Sequence, residues 1–118
     1  MAREQTFKRG QSYTLRSFQN DVFTLRATLQ DEDGDSIDLT GKTIRINAKI
    51  SPYDASVTHA ISGTIITAAS GIVDFAFTGT HTANVREFFA EVEYETTGGA
   101  GDIETLLTFK WLVLRDAG

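Results

Sequence analysis

Apolar and polar residues alternate through most of this chain with the two-residue period of a half-buried strand. The period is clearest from Val22 to Ile50. Phe23, Leu25, Ala27 and Leu29 hold one parity there, and Thr24, Arg26, Thr28 and Gln30 hold the other. Farther on, Ile44, Ile46, Ala48 and Ile50 alternate with Thr43, Arg45, Asn47 and Lys49. A helix would scatter these apolar residues around its circumference, whereas a strand collects them on one face. Between the two runs, Asp33-Gly34 suits a type I′ turn, whose central positions both need positive φ, so the pattern predicts a β-hairpin. A second glycine, Gly41, lets the chain bend into the following strand.

Toward the amino terminus Phe7, Tyr13, Leu15 and Phe18 alternate weakly around Gly10, which predicts an arm or edge strand over residues 1–20, ahead of a β-sandwich domain over 21–118. Pro52 and its polar neighbours predict a surface loop. Residues 57–69 form one bent strand or two short ones, because the apolar parity changes at Gly63. Ala69-Ser70-Gly71 then turns into a run in which Val73, Phe75 and Phe77 share a face, a second hairpin. The segment THTANVRE predicts one short helical turn capped by Thr80 or Thr82. In the next strand Phe88, Ala90, Val92 and Tyr94 face inward and Phe89, Glu91, Glu93 and Glu95 outward. A glycine-rich hairpin loop over 96–102 leads to the last strand, where Leu107, Phe109, Trp111 and Val113 have one parity but Leu106, Leu112 and Leu114 the other. Both faces carry apolar side chains, so one of them needs cover from this chain's arm or from another protein. Roughly seven or eight short strands with regular turn signals predict an all-β, antiparallel, immunoglobulin-like sandwich.

Composition narrows the function more than the fold. With 118 residues the chain holds a single core. The absence of cysteine excludes disulfides and thiolate metal sites. Net charge is −5, yet residues 1–26 carry five basic side chains against two acidic ones, a balance of +3 that leaves −8 for the remainder. An acidic body of this kind argues against nucleic acid as a partner. The first ten residues lack the apolar core of a signal peptide, and no apolar run is long enough to span a bilayer, so the expectation is a soluble product, not exported by that route and without a membrane partner.

Candidate chemistry is sparse. Asp31, Glu32, Asp33, Asp35 and Asp38 offer the hard oxygen donors that calcium prefers, but the glycine arrives early and no glutamate closes a twelve-residue calcium loop, so a solvated turn is the better reading. His59 and His81 are far apart in sequence and no further metal ligands or triad partners stand out beside them. Glu91, Glu93 and Glu95 lie on one strand face, whereas paired catalytic carboxylates face each other across a cleft. No phosphate loop precedes a helix and no serine sits on a strand-to-helix elbow. The residues therefore predict no enzyme, no metal and no cofactor.

The order DVFTLRATLQDEDGDSIDLTGKTIRINAKI, SGTIITAASGIVDFAFTGTHTANV, FFAEVEYETTGGAGDIETLLTFKWLVL resembles the small β-sandwich domains of tailed phages, notably the amino-terminal domain of the upper baseplate protein. The resemblance spans residues 21–114, and its most specific piece runs from Asp31 to Ile50. It implies a non-enzymatic structural subunit of a bacteriophage virion, made in the host cytoplasm, that binds other virion proteins and assembles as a homo-oligomer in the tail, baseplate or an adaptor. The chain ends at Gly118 without a helical or fibre-like part, which raises capsid decoration, cement or head-fibre roles as the alternative. A surface or carbohydrate-binding sandwich module is the second alternative. The residues expected at an interface are Arg3, Phe7, Lys8, Arg9, Tyr13 and Phe18 from the amino-terminal segment, with Leu106, Leu112 and Leu114 from the second face of the last strand. In that reading the basic arm lies along a neighbouring subunit's sheet edge and meets an acidic face such as Glu91, Glu93 and Glu95. Otherwise it folds back as the domain's own first strand.

Overall fold

The computed structural model describes residues 2–51, 53, 56–96 and 103–115. Its strands are β1 (Ala2–Lys8), β2 (Thr14–Phe18), β3 (Phe23–Gln30), β4 (Lys42–Lys49), β5 (His59–Thr67), β6 (Ile72–Phe77), β7 (Arg86–Thr96) and β8 (Ile103–Leu114), with one 3-10 turn at Ala68–Ser70. They form a single curled sheet in the order β1-β3-β6-β5-β4-β7-β8-β2. The curl folds it into two layers, giving the all-β, sandwich-like architecture that the alternation predicts. Pairing is antiparallel through the middle, whereas β1 pairs with β3 and β2 with β8 in parallel, so the expectation of a wholly antiparallel sandwich is corrected at both ends.

The hinge of the curl is β5. Its first half, through Ser62, pairs with β4 and its second half, from Gly63, pairs with β6, so one strand serves both layers. The expected parity change does not occur, since Ile61 and Ile65 share the inward face on either side of Gly63 and Ile66 is exposed; what changes at Gly63 is the pairing partner, and the strand bends there. A methyl group added at Gly63 would lie 2.7 Å from Val73 Cγ2 and 2.9 Å from both Ile44 Cγ2 and Phe75 Cε1. The bend therefore brings backbone against side chains of both layers, and only a residue without Cβ fits.

The predicted hairpin of β3 and β4 does not form, because the two strands belong to opposite layers. A local turn does exist: Gly34 N–H donates to Asp31 O at 3.1 Å, Asp31 N–H donates to Asp35 O at 2.8 Å, and Gln30 bridges Ser36. Only Gly34 has positive φ there, so the turn is not type I′ but a longer loop closed by a left-handed glycine. Beyond it Leu39, fully buried, crosses the end of the core and carries the chain into the other layer. The second hairpin, β5 with β6, and the last, β7 with β8, pair as predicted. The glycine-rich loop of residues 97–102, like Pro52, lies outside the described residues.

One of the three leucines on the second face of β8, Leu106, is placed by a local irregularity, while Leu112 and Leu114 keep the outward parity and are half-buried. Register slips between Val92 and Glu93 on β7, with Leu107 opposite Val92 and Thr105 opposite Glu93, which leaves Leu106 as the extra residue of a bulge. Leu106 turns into the core and is buried beside Leu107. Trp111 of β8 stacks on its cross-strand neighbour Phe88 of β7 at 4.7 Å and, across the layers, meets Phe77 of β6 edge-on at 5.0 Å, while Phe77 stacks on its own cross-strand neighbour Phe23 of β3 at 4.6 Å. Edge-on and offset contacts of this kind suit the aromatic quadrupole. The fully buried indole has one polar atom, and its Nε1–H donates to Ser17 Oγ of β2 at 3.0 Å.

Two stability predictions follow from this packing. Gly63→Ala should lower unfolding free energy by about 1–3 kcal/mol through overpacking, seen as a lower urea midpoint with unchanged slope, while Gly79→Ala, where an added Cβ meets nothing within 4 Å, should be near neutral. Ser17→Ala should cost about 1–3 kcal/mol because it leaves the Trp111 N–H buried without an acceptor; a midpoint equal to that of the parent would refute that role.

Candidate interaction surface at the open seam

Because β5 joins the layers along one side only, the opposite side is a seam between the free edges of β1 and β2. One half of that seam is closed. Phe7 points inward from β1, touching Tyr13 edge-on at 5.0 Å and Phe109 of the other layer at 5.4 Å, and the Lys8 N–H donates to the Tyr13 hydroxyl at 2.7 Å. Arg9 clamps the same end, reaching Glu32 at 3.4 Å and Glu104 at 3.1 Å.

The other half stays open. A groove of about 400 Å³ runs between Arg3 on β1, Arg16 and Phe18 on β2, and Val22 and Phe23 at the start of β3. Its apolar part is exposed, Phe18 by 49% and Val22 by 69%. Alternation on β2 explains why: Leu15 and Ser17 are taken by the core, so Arg16 and Phe18 must face out. In the parallel register Arg16 lies beside Leu112 and Phe18 beside Leu114, which continues the apolar surface onto β8. Arg3 has the inward parity, and its guanidinium covers the Phe23 ring at 4.8 Å. Neither Arg3 nor Arg16 pairs with a carboxylate among the described residues. Asp21 also lines the groove, but its Oδ2 accepts the Phe18 N–H at 2.8 Å and closes the β2–β3 turn.

The nine residues expected at an interface thus separate. Phe7 and Leu106 are core residues of this chain, which corrects their exposed placement. Tyr13, Lys8 and Arg9 seal the closed half of the seam. Arg3, Phe18, Leu112 and Leu114 gather around the groove, and the structure adds Arg16 and Val22. The parity that Arg16 shares with Phe18 was a usable signal in the sequence; nothing local marked Val22.

Elsewhere the charged candidates are largely satisfied within the fold. On the β7 row Arg45 holds Glu93 at 2.6 Å and Glu95 at 3.0 Å, Lys49 meets Glu91 at 3.5 Å, and Lys110 meets Glu87 at 3.4 Å. The Glu91, Glu93 and Glu95 row is therefore no free acidic face. The carboxylates of Asp31, Asp33 and Asp35 lie within 4.8 Å of one another, but Asp31 Oδ1 already accepts the N–H groups of Asp33 and Asp35, which closes the turn. Asp38 accepts the Thr40 hydroxyl and N–H, and these bonds hold its carboxyl below the usual range.

The histidines, distant in sequence, meet at the groove's end of the sandwich. Their ring centroids are 5.3 Å apart, and His59 also contacts Phe88 and Trp111. His81 Nδ1 accepts the Thr78 N–H at 3.0 Å, so the ring must be neutral at that nitrogen. The predicted helical turn is instead a hydrogen-bonded turn over Thr78–Thr82, and buried Thr82 fastens it to the β2–β3 turn, its Oγ1 donating to Asp21 O at 2.8 Å while its carbonyl accepts the Asn20 N–H at 2.9 Å.

No family model matches the sequence, and no characterised protein matches it at the level of sequence. Among solved structures the chain is similar to the N-terminal domain of phage TP901-1 ORF48, with a TM-score of 0.71 and 12% identity over 96% of this chain and 98% of that one. The two share a fold along their whole lengths. It also aligns with 23% of a family 123 glycoside hydrolase from Clostridium perfringens at 12% identity, with a TM-score of 0.38 that carries no argument.

The histidine pair makes stability depend on pH. Burial pushes both below the ordinary value of 6.5, and for His59 the neighbouring His81 adds to the effect. The unfolded chain then binds more protons than the native one between the folded values and 6.5, so the contribution is complete above that window and is lost as pH falls through it. The urea midpoint should drop between about pH 7.5 and about pH 5.5, and the drop should shrink in a His59→Gln, His81→Gln variant.

Proposed function

We propose that this chain is a non-enzymatic structural subunit of a bacteriophage virion, placed in the tail or baseplate, and that it works by binding neighbouring virion proteins through the open half of its seam. The observation that carries this reading is the fold shared end to end with the N-terminal domain of ORF48, a baseplate protein. The surface supports it: an exposed aromatic and aliphatic patch flanked by arginines that form no ion pair among the described residues, beside a free strand edge, is the composition of a protein interface. Edge strands left open in a soluble protein are blunted or used. Here Arg3 points inward and guards β1, whereas β2 presents Phe18 beside an unguarded edge. No cofactor enters this reading. Arginine and aromatic side chains anchor interfaces by shape, desolvation and bidentate hydrogen bonding, and the groove offers those groups and no nucleophile.

The experiment is peptide mass spectrometry and antibody-labelled electron microscopy on particles purified from a host that carries the coding sequence. The chain should be found in the particles, labelled at the tail tip. A Phe18→Asp, Arg16→Glu variant should remain soluble and folded by circular dichroism yet be depleted at least tenfold from particles. Recovery of the parent chain only from the soluble cell fraction, or label confined to the head, would overturn the assignment.

A further inference from the structure

Among the described residues the groove's two arginines form no ion pair, and the turn at the other end of the fold carries two carboxylates, Asp33 and Asp35, that form none either. Glu32, Asp33 and Asp35 project from the turn that follows β3, whereas the groove lies where β3 begins. The two features are separated by the length of β3, about 25 Å at roughly 3.4 Å per residue, so one copy cannot bring them together. Of the turn's exposed carboxylates only Glu32 has a cation, Arg9; Asp33 and Asp35 form no ion pair among the described residues. Elsewhere Arg9, Arg26 and Arg45 each hold at least one carboxylate, Arg26 gripping Asp74 through two bonds of 2.8 and 2.9 Å. Among the described residues, Asp33 and Asp35 at one end and Arg3 and Arg16 at the other are thus oppositely charged groups that form no ion pair within the fold.

We propose that the occupant of the groove is a second copy of this chain, whose Asp33 and Asp35 turn seats against Arg3 and Arg16 while Phe18 and Val22 are covered. This rests on the assembly role proposed above and names the partner for it. The contact is heterologous, one end of a copy on the other end of the next, so it repeats into a ring or a row instead of stopping at a two-fold dimer. The turn is suited to the task because the Asp31 carboxylate holds its backbone, so little ordering accompanies docking. Asp21, on the groove wall, is engaged by the Phe18 N–H and orients the floor without cancelling both arginines.

Charge reversal on each side tests the pairing. One variant carries Arg3→Glu and Arg16→Glu, the other Asp33→Lys and Asp35→Lys; Asp31 is left in place because it closes the turn. Sedimentation velocity at high protein concentration should show the parent at twice or more the monomer mass of 12.9 kDa in about 20 mM salt, shifting to monomer in about 500 mM salt as screening shortens. Each variant alone should be monomeric at both, with an unchanged circular dichroism spectrum. Mixed in equal amounts they should assemble again, since each reversed end meets a complementary one. A parent that stays monomeric in low salt, or a mixture that fails to assemble when both variants are folded, overturns the proposal. In particles, loss of the groove variant with normal uptake of the turn variant would reject the second copy as occupant and leave the virion role standing.

Discussion

The edge-on contact of Trp111 with Phe77 is the interaction on which the two layers depend. The layers share a strand, β5, on one side only, so on the other side they are held by side chains crossing between them. Trp111 reaches from β8 to Phe77 on β6, and farther along the seam Phe7 reaches from β1 to Phe109 on β8. An indole this deeply buried brings a polar atom with it, and an N–H left unpaired there is costly. Ser17 answers it, and that requirement places β2. Once Leu15 and Ser17 are committed inward, Arg16 and Phe18 have no choice but the surface. The exposed patch is thus a consequence of how the core is completed.

Electrostatics then decides which surfaces remain available. Each surface ion pair contributes only about 0.2–1 kcal/mol to stability. Their larger effect is on what the surface can attract. The glutamates of β7 are neutralised by cations from β4 and β8, and Asp74 is neutralised by Arg26 at the register position directly across on β3. Among the described residues this leaves Asp33 and Asp35 without an ion pair at one end, and arginines over an apolar groove at the other. One end of the domain thus offers an apolar groove with arginine on its walls beside a free strand edge. That agrees with the role proposed for it on a fold shared with a phage domain.

Near the groove, packing and conformational stability meet. The turn over Thr78–Thr82 holds the β2–β3 turn through Thr82, and His81 holds the first turn together by accepting a backbone N–H. A neutral imidazole is needed for that bond. The geometry of the exposed patch is therefore tied to the protonation of a half-buried ring, which a solvent-exposed histidine would not achieve.

From β3 onward the sequence by itself determined most of the strands and most of their inward and outward faces, because alternation and turn chemistry are local and a strand has no other way to divide its side chains. It also determined that Gly63 marks a break and that the last strand is unusual. Only the tertiary structure decided which strands pair. The Asp33-Gly34 turn is genuine, yet β3 and β4 part into different layers, since a local turn does not specify the partner of the strand that follows. Likewise Phe7 and Leu106 carried the pattern of interface residues and proved to be core, one because β1 docks on its own sheet, the other because a bulge reverses its side. The meeting of His59 with His81, and of Arg3 with Arg16 and Phe18, joins residues that only a closed fold brings near. Proximity of that kind is written in no periodicity, because it depends on where the curl of the sheet leaves its seam.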